Sequence, residues 1–190
     1  MAVNLRRLLP PVALALSLTV AGHAAERSLK VDFARSRIEF DVKATMDSFT
    51  GRLDAYAATV VVVPEARKIS QAVLRFRCAD LKTGKTGRDK EMLSWLNAGQ
   101  YPDGAFELAS LDPTANGQYK ARGNLTFHGV TKPLEFPITV SIDQEVYAVE
   151  GVAVVDHREF GLPVFRKFGL LRVDPLVKVR FHVQGTWVEN

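Results

Sequence analysis

Alternation of apolar and polar residues dominates most of the chain. The first such segment covers residues 37–42, where Ile38, Phe40 and Val42 alternate with charged residues. Three longer rows follow, with apolar members Tyr119, Ala121, Gly123, Leu125 and Phe127; Leu134, Phe136, Ile138, Val140 and Ile142; and Val177, Val179, Phe181, Val183 and Trp187. Successive side chains of a strand point to opposite faces, so each row predicts an antiparallel strand with one buried face.

Four further segments have strand character, and they bring the number of predicted strands to about eight. They cover residues 51–63, 70–78, 105–110 and 147–156. The dipeptide Asn116–Gly117 precedes one of the alternating rows and is typical of a tight hairpin turn.

One segment, Arg88–Ala98, has helical rather than strand spacing. Its apolar residues Met92, Trp95 and Leu96 fall on one helical face, and Gly99 is predicted to end the helix. The pattern therefore predicts an all-β protein with one short helix. Eight antiparallel strands with one apolar face can stack as two sheets or close into a barrel, and the alternation alone does not choose between them.

The first residues have the layout of an export signal. Two arginines precede an apolar run over residues 8–20, which is too short to span a bilayer of about 30 Å. Small residues then suit cleavage after Ala24, with Ala25 as an alternative. We expect a cleaved signal peptide, residues 1–24, followed by one domain, residues 25–190.

Charge and cysteine content narrow the function classes. Removing the two arginines of the leader lowers the formal net charge from +4 to +2. Basic and acidic residues alternate along most segments, so a basic stripe for nucleic acid is not predicted. The single cysteine, Cys78, excludes an internal disulfide, and its period-two spacing from Leu74 and Phe76 predicts a buried apolar role.

Four blocks of sequence, in order, carry a family resemblance. They are Asp32, Ser36, Ile38, Phe40, Val42 and Gly51; Arg88, Asp89, Leu93, Trp95, Leu96, Tyr101, Pro102 and Phe106; the run Gly123–Pro133; and the run Asp156–Leu162. Together they resemble the YceI-like family of periplasmic polyisoprenoid-binding proteins over nearly the whole chain after the leader. Ala44 departs from the pattern, since many members have a histidine near that position.

The resemblance implies an eight-stranded antiparallel lipocalin-like barrel whose lumen holds a polyisoprenoid, a prenylated quinone or a fatty-acid derivative, carried through the periplasm. Arg158, or Lys132, is a candidate to pair with a phosphate head group at the open end. The candidate lumen residues are Phe40, Val42, Trp95, Leu96, Phe106, Leu125, Phe127, Phe136, Ile138, Phe160 and Phe181. For each of these, an ordinary core role produces the same alternation, so both interpretations stay open.

Other functions receive less support from the sequence. His128, His157 and His182 are far apart, and no HExxH, CxxC or GxSxG motif occurs, so we predict no catalytic site, metal or cofactor. The rival hypothesis is a stress-related interaction module with a filled barrel and no ligand. Transient membrane contact and a homodimer stay open as well.

Overall fold

The structure is a computed structural model that describes residues 25–114 and 118–187. Its strands are β1 (Arg27–Val31), β2 (Arg37–Val42), β3 (Phe49–Leu53), β4 (Tyr56–Val63), β5 (Lys68–Arg77), β6 (Leu81–Lys82), β7 (Asp103–Pro113), β8 (Gln118–Phe127), β9 (Val130–Asp143), β10 (Val146–Asp156), β11 (Arg166–Lys167), β12 (Leu171–Arg172) and β13 (Leu176–Trp187). The helix α1 covers Thr86–Trp95, and short 3-10 turns cover Pro64–Ala66, Cys78–Asp80 and His157–Phe160. The predicted signal peptide and the Asn116–Gly117 turn lie outside the described residues.

Eight strands form a closed antiparallel ring in the order β1, β4, β5, β7, β8, β9, β10 and β13, with β13 pairing back onto β1. Strand β2 continues β1 along the same edge of β13, so that Leu29 faces Trp187 and Phe40 faces Val179. Strand β3 likewise continues β4. The predicted eight-stranded antiparallel barrel with one short helix is confirmed, and the two-sheet alternative is wrong because the ring closes.

The helix is displaced from its predicted bounds. It ends at Trp95, and Asn97 rather than Gly99 takes the left-handed conformation that stops it, with a φ of 47°. The Ala98 amide donates to the Leu93 carbonyl at 3.0 Å and the Asn97 amide to the Ser94 carbonyl at 3.1 Å. These two bonds satisfy the carbonyls of Leu93 and Ser94 in the last turn of the helix, and asparagine tolerates the required conformation.

The two ends of the barrel are packed differently from its middle. At one end, here called the closed end, Val62, Ile69 and Tyr147 are buried against Leu29 and Trp187. The other, here called the helix end, is covered by α1, and Leu96, which directly follows α1, is buried there with Cys78 and Leu162. Cys78 is 1% exposed, which confirms its predicted burial. Within the described ranges, no helix is long and apolar enough to cross a lipid bilayer.

Candidate ligand cavity

A cavity of about 460 Å³ lies inside the barrel. The inward rows of the strands supply most of its lining, while α1, the β2–β3 loop and the segment after β10 supply the lining at the helix end. The cavity reaches Ile69 of the closed end, but Val62, Tyr147 and Trp187 are not part of its lining, so these three residues lie beyond its end. Its volume lies within the range of roughly 300–1,000 Å³ of small-molecule sites.

Pairing of phenylalanine with glycine on neighbouring strands explains why the interior is hollow. Four inward glycines have a ring of an adjacent strand lying over them, in the pairs Phe40–Gly51, Phe76–Gly104, Phe106–Gly123 and Phe181–Gly151. A Cβ built on these glycines would lie only 2.2, 2.3, 2.4 and 2.6 Å from the nearest ring atom. Carbon atoms in ordinary contact are about 3.5–4.0 Å apart. The missing side chains therefore let the rings lie against the wall instead of across the barrel axis.

Ten of the twelve predicted site residues line this cavity. They are Phe40, Val42, Trp95, Leu96, Phe106, Leu125, Phe127, Phe136, Ile138 and Phe181. Their roles as ligand contacts stay predictions, because a wall residue is part of the barrel core as well.

Two predicted residues, Phe160 and Arg158, are not part of the lining. Phe160 is 2% exposed and lies behind Phe127, with ring centroids 6.0 Å apart. The Arg158 guanidinium donates to Asp156, with Nη2 2.6 Å from Oδ2, and these hydrogen bonds lower the pKa of Asp156. Arg158 therefore already has a carboxylate partner away from the cavity wall.

The charged and ionisable residues of the lining are confined to the helix end. These residues are Asp47, Arg88, Glu91 and His157. Arg88 Nη1 lies 3.3 Å from Asp47 Oδ2, and the guanidinium carbon lies 3.8 Å from the Phe49 ring centroid. The cavity thus has an apolar interior and one polar end.

His157 is one of the four charged or ionisable lining residues that were not predicted from the sequence as site residues. Its Nδ1 lies 3.3 Å from the Leu162 carbonyl oxygen, and since that oxygen only accepts, Nδ1 carries the proton. Its Nε2 is buried without a hydrogen-bond partner among the described residues. The Trp95 ring packs edge to face against the imidazole at 5.0 Å, and burial lowers the pKa of His157. A neutral imidazole with a free acceptor nitrogen follows.

The described part of the chain brings no group of three or more His, Cys, Asp and Glu side chains together in a way that would hold a metal ion. The chemistry of the cavity is therefore that of apolar side chains with four ionisable groups at one end.

The sequence matches a known protein family. A family model, the YceI-like domain, matches residues 29–185. A UPF0312 protein of Pseudomonas putida is 31% identical over 147 residues, which cover 71% of this chain and 73% of the relative. A UPF0312 protein of Vibrio cholerae is 25% identical over 186 residues, covering 92% of this chain and 94% of the relative.

Two solved structures show the same fold. Burkholderia cenocepacia BcnA has a TM-score of 0.72 at 21% identity, covering 83% of this chain and all of that chain. A polyisoprenoid binding domain from Saccharophagus degradans has a TM-score of 0.69 at 16% identity, covering 86% of this chain and all of that chain. At these identities the likeness concerns the fold.

Proposed function

The chain belongs to the YceI-like family, and from this we propose that it binds one long apolar lipid in its barrel and carries it through the periplasm. A polyisoprenoid, a prenylated quinone or a fatty-acid derivative has the required shape. The observation that carries the proposal is the hollow interior, because four phenylalanine rings that face inward lie over glycines and leave a cavity of about 460 Å³. The description of the Saccharophagus degradans domain as polyisoprenoid binding supports the ligand class.

Hydrophobic transfer supplies sufficient affinity without reactive groups. Each buried CH₂ contributes about 0.8 kcal/mol, so about 15 buried carbons contribute about 12 kcal/mol. Association costs start at about 4 kcal/mol, which leaves about 8 kcal/mol and a Kd in the micromolar range. The protein then solvates its ligand and does not transform it.

The polar end of the cavity gives the ligand a direction. The tail extends toward the closed end, and the head group lies near His157 and Arg88 at the helix end. With Nδ1 protonated, the buried Nε2 of His157 accepts a hydrogen bond, so it suits a hydroxyl better than a carbonyl. We propose this end, rather than Arg158, as the position of the head group.

Export and the domain division belong to the same proposal. A leader of residues 1–24 would deliver the domain of residues 25–190 to the periplasm, where a lipid needs a carrier through water. Homodimerisation stays a prediction, which analytical ultracentrifugation of the exported chain would check.

The test is to express the full chain in a Gram-negative host, purify it from the periplasm, and combine native mass spectrometry with organic extraction. We expect a homogeneous mass increment and an extractable lipid in near-stoichiometric amount. A control extraction of an unrelated periplasmic protein from the same cells removes non-specific lipid from the comparison. A chain without extractable lipid, whose crystal structure shows side chains interlocked across the barrel axis, would contradict the proposal and favour the filled interaction module.

A further inference from the structure

Three exposed apolar side chains lie at the helix end of the barrel. Phe168, Leu170 and Met46 are 88%, 73% and 72% exposed, more than any other large hydrophobic residue that the structure describes. Together they are called the mouth patch below. Isolated exposed apolar residues are ordinary on protein surfaces, but contiguous ones mark contact sites.

Hydrogen bonds hold the two segments of the mouth patch together. Met46 belongs to the loop after β2, while Phe168 and Leu170 form the tip between β11 and β12. The Thr45 hydroxyl donates to the Leu170 carbonyl at 2.8 Å and accepts from the Arg172 amide at 3.1 Å. The two loops that carry the mouth patch are therefore held next to each other by these hydrogen bonds.

The hairpin that carries Phe168 and Leu170 is also a wall of the cavity. Phe165 and Leu171 line the cavity from this segment. The Trp95 ring of α1 packs edge to face against Phe165 at 6.4 Å, and Lys167 forms an ion pair with Glu91 of α1. The patch thus projects outward from the segment whose other side chains border the cavity.

The backbone at Phe168 is unusual for an aromatic residue. Its φ is 52°, in the left-handed region that bulky residues rarely adopt. The Lys167 ammonium lies 5.4 Å from the centroid of its ring. The chain therefore keeps a large apolar side chain in a disfavoured conformation where it gains little burial, and such outliers point to function.

Basic residues flank the hairpin that carries Phe168 and Leu170. The segment of residues 164–173 contains Arg166, Lys167 and Arg172 and no acidic residue. Arg166 and Arg172 face each other across the hairpin and are exposed. On the other loop, Asp47 lies within ion-pair distance of Lys85 and Arg88. Basic residues beside exposed aromatic and aliphatic ones are the composition of surfaces that bind anionic membranes.

We propose that the mouth patch inserts into the interfacial region of a lipid bilayer with anionic head groups, while Arg166 and Arg172 pair with the lipid phosphates. Docking in this way brings the helix end of the cavity to the membrane surface. The docking itself stands on the surface residues alone; its use for loading or unloading a lipid rests on the proposed function.

Flotation of the exported chain with vesicles tests the docking. Vesicles of phosphatidylcholine alone are compared with vesicles containing phosphatidylglycerol, at low and high salt. We expect binding to the anionic vesicles, weakened by salt. The double variant Phe168→Ser/Leu170→Ser should bind at least tenfold more weakly, and Arg166→Gln/Arg172→Gln should lose the preference for anionic lipid.

Matched controls separate the patch from general surface properties. Val152→Ser/Val154→Ser removes exposed apolar residues from the outer face of β10, and Lys30→Gln/Lys68→Gln removes two charges toward the closed end. Both controls should bind vesicles as the parent chain does. All substituted side chains are exposed or nearly so, and circular dichroism verifies that each variant is folded.

The proposal is overturned if the parent chain does not bind anionic vesicles or if the patch variants bind as well as the controls. It is also overturned if ultracentrifugation shows a dimer of the parent chain that Phe168→Ser/Leu170→Ser converts to a monomer. Lipid extraction from the same preparations separates the two proposals. Retained lipid without vesicle binding refutes docking only, whereas vesicle binding without retained lipid refutes the carrier function only.

Discussion

The substitution Val179→Trp tests the hollow interior most directly. Val179 lies on β13 with its side chain in the cavity lining, between Phe40 of β2 and Ala153 of β10 in the strand register. The small side chain of Ala153 leaves room on one side. An indole at this position would extend into the space that the proposed lipid occupies.

The size of the effect follows from the atoms involved. Tryptophan has about seven more side-chain heavy atoms than valine, and displacing as many ligand carbons would cost about 5–6 kcal/mol at about 0.8 kcal/mol per carbon. A flexible tail can shift within the lumen, so we expect a loss of roughly 100-fold or more in affinity. The lipid-free chain should lose less than about 1 kcal/mol of stability, whereas a filled core would lose about 1–3 kcal/mol.

The assay is the amount of lipid extracted per protein from periplasmic preparations, followed by urea unfolding of the delipidated chain. Val152→Trp is the matched control, because Val152 precedes Ala153 on β10 and is 43% exposed on the outer face. It adds the same bulk without entering the lumen. Equal lipid retention in both variants, or a delipidated Val179→Trp chain that is about 1–3 kcal/mol or more less stable than the control, would refute the reasoning.

Three further outcomes are expected. Gly104→Ala should lower the free energy of unfolding by urea by about 1–3 kcal/mol, because the added Cβ meets the Phe76 ring. Adding Phe76→Leu to this variant should restore part of that free energy. If the effects of the two substitutions on the free energy of unfolding are strictly additive, the pairing of Phe76 with Gly104 is contradicted. Burial lowers the pKa of His157, so below about pH 6.5 the unfolded chain binds a proton that the folded chain does not, and the free energy of unfolding should decrease as the pH drops. In the variant His157→Phe, the free energy of unfolding measured between pH 7 and 5 should decrease less steeply. Hydrogen bonds from Arg180 lower the pKa of Asp41, so the stability that this pair contributes is present above about pH 4 and is lost on further acidification. The melting temperature of the variant Arg180→Gln should therefore depend less on pH in the acid range.

The barrel was predictable because its strands obey a local rule. The inward-facing residues of β8, β9 and β13 could be predicted from the alternation of apolar and polar residues alone, since one face of each strand is buried and the other faces solvent. The rule fails at the irregularity in β7, where Leu108 and Leu111 both line the cavity although they are three residues apart. The hairpin of β11 and β12 was also missed, because strands of two residues carry no periodicity.

The hollow interior could not be predicted from the sequence, because it depends on which residues face each other on neighbouring strands. A ring lies over a glycine only when the register places them together, as in Phe40 opposite Gly51. The position of His157 was missed for a related reason, since the chain leaves β10 at Asp156 and turns into a 3-10 helix. That turn also places Arg158 beside Asp156 and away from the cavity.

The packed closed end makes the cavity a tube that is closed at one end, and this would set both a direction and a length for the proposed lipid. Its lining along β13 extends from Val177 to Val183, about 20 Å of strand and roughly 15 Å along a barrel axis with the usual tilt. The lipid that we propose as ligand would enter with its terminal methyl first and leave with its head group first. A tail longer than this depth would have to fold back or leave its head group outside the barrel. The depth of the cavity would therefore select lipids by the length of their tails.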